Sequence, residues 1–449
     1  MAMAKGKFYC QTYGCQMNEH DSEIMAGLLS ESGYVPCEIR EDADVIIINT
    51  CCIREKAEHK VLSLLGELRG LVEEHPEKVV AVTGCMVQQA DIVPKIRRAC
   101  PHVKLIIGTH NFHRIAEYVD RIRATNELIC DIPTEELLIE EALPTMREFP
   151  HKAFVNITYG CNNYCTYCIV PYVRGKERSR DLADILDEVR QLVNDGVKEI
   201  TFLGQNVNSY GNDLVDPSAN FARLLEEADQ VEGLERIRFM TSHPKDLTQT
   251  VIDVIAKSHH ICHYIHLPVQ AGSNAVLQRM NRRYTKEHYL QLVAAIRQAL
   301  PNAALTTDII VGFPGETEDD FRSTLSLVEE VGFDNAFAFA YSPRAGTPAA
   351  KMADQVPFEE KKERLARLNS LLAKWSLIRN QAYIGKKVKV LVDGVSKTNE
   401  QILSGKTDSG KIVLFEAPKH YVGRLVDVEI ETAQTWILKG KVTFDDLEV

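Results

Sequence analysis

Apolar positions recur along the chain in two rhythms, and the changes of rhythm divide it into three parts. Over residues 7–120, short β-rich runs at 8–12, 45–49, 79–83 and 105–107 alternate with longer stretches, such as 19–32 and 53–74. In the longer stretches apolar residues return every third or fourth position. That alternation predicts a parallel α/β sheet, a Rossmann-like N-terminal domain over residues 5–125. An acidic, aperiodic stretch with Pro133 and Pro144 follows at 126–150 and reads as a linker. Six further β-like runs lie at 153–158, 199–203, 236–241, 264–269, 304–311 and 335–341, with amphipathic helical patterns such as 181–195 and 317–331 between them. Six units predict a partial, open (β/α)6 barrel, because a complete eightfold barrel needs two more. Residues 357–382 carry Leu365, Leu368, Leu371, Leu372 and Trp375 on one side of a charged helical pattern. This helix is expected to cover the barrel or dock the last domain, and the barrel domain runs from 151 to 382. Beyond it the period falls to two: 387–392, 401–407, 411–415, 425–431 and 437–443 predict a small five-stranded, OB-like β-barrel over 383–446. Barrels of this kind often bind nucleic acid.

A chain of 449 residues suits two or three domains. No apolar run approaches the roughly 20 residues a membrane helix needs, and the first fifteen residues lack the apolar core of an export signal. The expectation is a cytoplasmic chain whose 12 cysteines stay reduced. Clustered cysteines in that setting point to metal. The net charge of −11 argues against indiscriminate nucleic-acid binding, yet three basic clusters stand out. Arg174, Lys176, Arg178 and Arg180 face Glu177 alone; Arg279, Arg282 and Arg283 form a second group; residues 384–444 hold nine Lys and one Arg against seven acids. Such patches suit a phosphate-bearing partner or a solvated face.

The chemistry concentrates in cysteine. Cys161, Cys165 and Cys168 stand at x3 and x2 spacing, and no cysteine or histidine follows within twenty residues. A tetrahedral zinc would need a fourth ligand from afar; a 4Fe–4S cluster held by three thiolates leaves one iron open. A second set follows three N-terminal strands, at Gly14-Cys15, Asn49-Thr50-Cys51 and Gly84-Cys85. Ligands gather outside the carboxyl ends of parallel strands, so these thiols are candidates to converge; three small buried residues are the alternative. Cys52 is ambiguous, and the place directly after Asn49-Thr50 favours Cys51. Cys10, Cys37, Cys100, Cys130 and Cys262 are expected to be packing residues. In the barrel, polar residues sit at or near strand ends: Gly204-Gln205-Asn206, Thr241-Ser242-His243-Pro244, Gln270, Asp308 running on through Gly312 to Pro314-Gly315-Glu316, and Ser342-Pro343-Arg344. His243 is expected to be a loop residue.

The Cys161–Cys168 spacing, with Tyr167 before the last cysteine, resembles the signature of the radical S-adenosylmethionine (SAM) enzymes. Tyr13-Gly14-Cys15-Gln16-Met17-Asn18, Asn49-Thr50-Cys51, Gly84-Cys85-Met86, Ser242-His243-Pro244-Lys245 and the Asp308–Glu316 segment together resemble the methylthiotransferases of that superfamily. The C-terminal strands look like a TRAM domain, and the likeness covers nearly the whole chain in family order. Residues 160–180 and 203–210 look most like members acting on isopentenyladenosine beside the tRNA anticodon. The resemblance implies two 4Fe–4S clusters, one on Cys161, Cys165 and Cys168 and one on Cys15, Cys51 and Cys85. It implies SAM as both radical source and methyl donor, with Tyr167, Gly204, Gln205, Asn206, Ser242, Gln270, Asp308 and Arg344 as candidate contacts. The implied partners are the tRNA anticodon stem-loop and an electron donor such as flavodoxin or ferredoxin; a monomer and no membrane are expected. Relatives with the same parts modify threonylcarbamoyl-adenosine or a ribosomal-protein aspartate, and a non-catalytic metal-binding RNA module is the rival of another class. Cys52 and Cys10 are thiols beyond the pattern.

Overall fold

Residues 4–52, 55–133, 139–397 and 399–443 are described in a computed structural model. Six parallel strands form the first sheet: β1 (Gly6–Thr12), β2 (Tyr34–Pro36), β3 (Val45–Thr50), β4 (Val79–Gly84), β5 (Val103–Ile107) and β6 (Ile129–Asp131), in the order β2-β1-β3-β4-β5-β6. β3 and β4 read VIIINT and VVAVTG and are buried at every position, as strands covered on both faces require. Ile46, Ile48, Val80 and Val82 enter one core with Leu65 and Ile96; Val45, Ile47, Val79 and Ala81 enter the other with Met25 and Val119. From β1 the chain goes out to β2 on one side and returns to β3 on the other, so strand order reverses between β1 and β3. Open α/β sheets form their crevice at the carboxyl ends of such a pair.

All four anticipated strands are present. Two edge strands were not anticipated, and β6 corrects the linker: residues 129–131 of the 126–150 stretch belong to the sheet, pairing in register with β5. A three-residue strand is too short to carry a period. Within that stretch, 134–138 lie outside the described residues. So do 53–54, the start of the helical pattern at 53–74, whose helix is seen from Glu55–Glu74.

The second unit contains β7 (Lys152–Asn156), β8 (Thr158–Tyr159), β9 (Arg178–Ser179), β10 (Glu199–Leu203), β11 (Arg236–Phe239), β12 (Tyr264–His266), β13 (Ala304–Val311) and β14 (Asn335–Ala340). The parallel groups β11-β10-β7 and β12-β13-β14 meet through a bridge between Ile237 and Ile261, which leaves β7 and β14 as the edges of an open barrel. Val155, Ile200, Phe202, Ile237, Ile265, Leu305 and Ile309 pack outward into the helical layer. Their alternates, among them Phe154, Thr201, Arg238, His266, Asp308 and Phe337, therefore face the lumen. The run expected to reach residue 269 stops as regular strand at His266, because Pro268 has no N–H for the ladder. The first run breaks at Ile157, and Thr158–Tyr159 pairs antiparallel with Arg178–Ser179 instead.

The last unit closes as β15-β16-β17-β19-β18, from β15 (Lys387–Ser396), β16 (Asn399–Thr407), β17 (Ile412–Glu416), β18 (Leu425–Ala433) and β19 (Ile437–Val442). The helix Phe358–Gln381 does both things asked of it. Its leucines and Trp375 join the barrel core, and Asn380 near its end donates to the carbonyls of Gln434 (2.8 Å) and Thr435 (3.0 Å). Two barrel arginines complete the docking. Arg236 donates to Lys406 O and Lys389 O, both at 2.8 Å, and Arg238 to Asp408 O (2.9 Å) and Thr407 O (2.6 Å).

Three arginines of the first two basic clusters are internal, whereas Lys176 and Arg283 stay exposed. Arg180 is buried against Glu141 and Glu188, Arg174 pairs with Asp21, Arg279 with Asp354, and Arg282 is buried. A buried guanidinium needs partners of its own, so Arg174, Arg180 and Arg282 cannot belong to a phosphate-binding face.

Candidate active site

Cys15 lies just past β1 at the head of the helix Gln16–Glu31, Cys51 directly follows β3, and Cys85 opens a 3-10 turn after β4. β1, β3 and β4 are consecutive neighbours, so with strands about 4.8 Å apart the three ends lie within roughly 10 Å. Gly84 makes the last turn possible: its φ is +95°, and a Cβ there would stand 2.3 Å from Thr50 O. Buried amides tie the ends together. Asn18 Nδ2 donates to Asn49 Oδ1 and Thr50 O, each at 3.0 Å, and Asn49 Nδ2 donates to Asn18 O at 2.8 Å. Cys15 Sγ donates to Asn18 Oδ1 at 3.4 Å. Cys51 is buried beside Gly14, and the adjacent Cys52 thiol hydrogen-bonds Cys85 in an apolar nest with Ile169 and Val173. Both thiols of the Cys51-Cys52 pair thus reach the crevice. The Cys52 hydrogen bond, then the Arg174 guanidinium, lower the Cys85 pKa against burial; burial raises Cys15.

The loop holding the other trio starts at Gly160, whose φ is +72° and whose Cβ, if it had one, would lie 2.0 Å from Lys176 O. Only glycine fits that crossing. Cys161 N donates to Gly175 O (3.2 Å), Thr166 Oγ1 to Arg279 O (2.8 Å), and Asn281 Nδ2 to Tyr164 O (3.0 Å), which pins the loop from both sides. Burial pushes Cys161 up to about 11; burial, then the neighbouring Cys165, push Cys168 up to about 12. Cys52 is within electrostatic reach of both Cys51 and Cys168, so the two sets adjoin. Among the described residues no three His, Cys, Asp or Glu side chains close on one point as a single ion demands. Cys161, Cys165 and Cys168 instead perturb one another, Cys85 perturbs Cys15, and Cys51 and Cys85 both perturb Cys52, a donor chemistry that fits an iron–sulfur cluster with its thiolates on separate corners.

The remaining candidates divide between rim, wall and interface. Tyr167 is placed against Phe313 (ring centroids 6.5 Å apart), with its hydroxyl 3.4 Å from Arg282 Nη1. Gly204 brings the end of β10 onto Thr158, and Gln205 reaches Met17 of the N-terminal domain. Asn206 is a loop tie: Nδ2 donates to Asp246 (2.7 Å) and Oδ1 accepts from His243 N (3.0 Å). Ser242 Oγ stands 3.5 Å from Asn208 Oδ1, and Gln270, at φ +68°, donates its N–H to Asp308 O (2.8 Å). Asp308 lies on the lumen wall, 3.6 Å from His266 Nε2. Arg344 turns to Glu58 (3.4 Å) across the domain boundary.

Three residues escaped the sequence reading. Arg174 touches Cys85. Arg282 has Nη1 3.4 Å from Cys165 Sγ and donates from Nη2 to Pro268 O at 2.7 Å. His243 is more than a loop residue: it is buried, Nδ1 accepts from Lys245 N (3.2 Å), and Nε2 has no hydrogen-bond partner. Burial, reinforced by Arg282, holds its pKa down to about 2. The signal for both arginines was their nearness in sequence to cysteine or tyrosine motifs, masked by their apparent membership of charge clusters. A cavity of about 870 Å³ lies where the three units meet, with Thr12 and Glu19 on one side, Phe154 and Thr201 of the barrel on another, and Asp393 and Lys406 of the last unit on a third; none of the six candidate cysteines lines it.

Three family models match: Uncharacterized protein family UPF0004 over 7–108, Radical SAM superfamily over 155–328, and TRAM domain over 381–443. A tRNA-2-methylthio-N(6)-dimethylallyladenosine synthase of Clostridium botulinum (strain Okra / Type B1) is 53% identical over 438 residues, 98% of this chain and 97% of the relative. The chain belongs to the radical SAM methylthiotransferases. A synthase of the same name from Moorella thermoacetica is 52% identical over 442 residues, covering 98% of this chain and 99% of that one. Among solved structures, the radical S-adenosylmethionine methyltransferase TsrM from Kitasatospora setae, with cobalamin and a [4Fe-4S] cluster bound, superposes with a TM-score of 0.56. It is 13% identical, with 78% of this chain and 77% of that chain covered, which bears on fold alone. As a radical SAM methylthiotransferase the chain is an enzyme that uses a 4Fe–4S cluster and SAM. No helix among its described residues is long and apolar enough to cross a membrane.

Proposed function

We propose that this methylthiotransferase converts isopentenyladenosine next to the anticodon of tRNA to its 2-methylthio derivative, inserting sulfur at carbon 2 of the adenine and methylating it. The observation that carries the reading is the meeting of two separate thiol sets, Cys161, Cys165 and Cys168 with Cys15, Cys51 and Cys85, at one domain boundary. The full-length likeness to synthases bearing that name supports the substrate. The first set would hold the SAM-binding cluster and the second set an auxiliary cluster that carries the sulfur. When bound, the first cluster supplies the electron that splits SAM into methionine and a 5′-deoxyadenosyl radical, which can remove a hydrogen that no base could take from carbon 2.

The chain's own residues place and shelter that chemistry. Arg282 fixes Cys165 and Tyr167 against the carbonyl of Pro268. Gly204, Gln205, Asn206, Ser242 and Gln270 shape the rim where SAM would lie. Asp308, His266 and the half-exposed Phe337 line a lumen open to the base. The last unit, a TRAM domain, presents exposed Lys389 and Lys439 for tRNA phosphates. A flavodoxin- or ferredoxin-like protein in the cytoplasm would deliver the electron, and the chain would act as a monomer.

The test is modified-nucleoside analysis of tRNA from a deletion strain with and without this gene. Loss of the 2-methylthio nucleoside with accumulation of isopentenyladenosine is expected; an unchanged profile overturns the reading. In the anaerobically reconstituted protein, Cys161, Cys165 and Cys168 replaced together by Ala should leave about half the iron, on the two-cluster premise. Unchanged iron removes that assignment.

A further inference from the structure

Arg174 stands where the two thiol sets meet. Six residues beyond Cys168, after the short helix Val170–Val173, the chain turns this side chain into the N-terminal domain, where it is 4% exposed. Its Nε lies 3.1 Å from Cys85 Sγ, and its Nη2 donates to Asp21 Oδ2 at 2.7 Å and lies 3.4 Å from Asn18 Oδ1. That same Asn18 oxygen accepts from Cys15 Sγ. The backbone around Arg174 is held from both domains: Thr109 Oγ1 donates to Val173 O at 2.9 Å, and Cys161 N donates to Gly175 O at 3.2 Å. One planar cation therefore touches a thiol of one set, while the next residue along the chain anchors the first cysteine of the other.

The charges give the contact a second consequence. A guanidinium stays protonated and cannot be buried without counter-charge. Asp21, itself 2% exposed, supplies one carboxylate, and its other oxygen, Oδ1, has no hydrogen-bond partner. A cluster on three thiolates is anionic and becomes more so on reduction. A cation hydrogen-bonded to a ligand sulfur favours the reduced state, and a nearby carboxylate opposes it.

We propose that Arg174 is a positioning residue for sulfur insertion, holding Cys85 in register with the Cys161–Cys168 loop and, opposed by Asp21, setting the reduction potential of the auxiliary cluster. The proposal rests on the reading that Cys15, Cys51 and Cys85 hold such a cluster.

The test uses the full-length protein, anaerobically reconstituted, with Cys161, Cys165 and Cys168 replaced by Ala so that only the auxiliary cluster contributes to a spectroscopic redox titration. Arg174→Gln should lower its potential and Asp21→Asn should raise it. Opposite signs are the mark of charge, since loosened packing has no reason to move the two variants in opposite directions. With all six thiols restored, Arg174→Lys keeps the charge but loses the fork, and methylthio product per SAM cleaved should fall at least tenfold. Potentials that shift in the same direction, or not at all, with the cluster's iron present overturn the proposal and leave the two-cluster reading standing. Absence of any cluster in the triple-Ala protein overturns both. If Arg174→Gln holds no iron, Asp21→Asn decides, and a potential unchanged or lowered there overturns the proposal.

Discussion

Replacing Arg238 by Met tests how the TRAM domain is held against the catalytic barrel. The guanidinium donates to Thr407 O at 2.6 Å and Asp408 O at 2.9 Å, and pairs with Glu199 at 2.9 Å, with arginine and carboxylate 9% and 4% exposed. Two charge-assisted hydrogen bonds are worth about 1.5–3 kcal/mol each. Breaking a buried pair costs about 3–5 kcal/mol when the surviving charge is left alone. Glu199 is not left alone, because Lys152 Nζ lies at 3.5 Å and Arg236 at 3.8 Å. The total should therefore stay near 3–5 kcal/mol rather than reach the sum. Met keeps the apolar stem, so the loss reports the head group. Arg236→Met forfeits two carbonyl bonds of 2.8 Å but only a distant arm of the ion pair, and should cost less than Arg238→Met, about 3 kcal/mol, the low end for two such bonds. Urea denaturation of both variants gives the magnitudes, and limited proteolysis near residue 385 reports detachment. A change under about 1 kcal/mol for Arg238→Met, or the reverse ranking, would refute the argument.

Gly160→Ala should destabilise by about 1–2 kcal/mol from the left-handed conformation alone, and the 2.0 Å approach to Lys176 O should displace the loop, so iron content falls; full iron loading counts against the loop geometry. His243 is held at a pKa of about 2 by burial, below its unfolded value. The unfolded chain thus binds more protons, and stability present above pH 6.5 is lost as pH falls, by about 1.4 kcal/mol per unit. Thermal melts of His243→Asn, whose oxygen can accept from Lys245 N, should show a flatter slope between pH 6.5 and 5, and an identical slope would exclude His243 as its source. Lys389→Ala with Lys439→Ala should weaken tRNA binding and flatten its log–log salt slope by about 1.4–1.8, measured by titration at several salt concentrations; an unchanged slope would remove both from the phosphate contacts. These substitutions are cleaner than deleting residues 384–449, which would also strip Arg236 and Arg238 of their carbonyl partners.

The sequence disclosed what periodicity and strand ends can carry. β3 and β4 were legible because burial on both faces leaves unbroken Val/Ile runs, and the barrel strands because their outward positions alternate with a polar lumen. The shared position of Cys15, Cys51 and Cys85 was legible for a related reason: a residue after a parallel strand lands at a shared edge whatever its distance in sequence. β2 and β6 were not, since three residues hold no period. The arginines were misread for a deeper cause. Arg174 and Arg180 look like one basic surface in the sequence, yet the fold turns each to a separate carboxylate, and partner choice is tertiary information. Cys51 and Cys52 show the same limit, because spacing favours the first while the fold presses the second against Cys85.

The short link between the thiol sets constrains how a base can be modified. Five residues separate Cys168 from Arg174, and Val170–Val173 among them are helical. Fully extended, such a link would span about 20 Å, and a helical rise of about 1.5 Å per residue shortens it considerably. Its far end is fastened to Cys85, and Gly175 is fastened back to Cys161. The sets therefore cannot separate without breaking Arg174 from Cys85 or Cys161 from Gly175. On the proposed reaction, hydrogen removal and sulfur insertion act on one carbon atom, so two sets that served them would have to stay within reach of a single bound nucleoside. A buried ion pair and a five-residue tether hold the two thiol sets together without help from the linker between the domains.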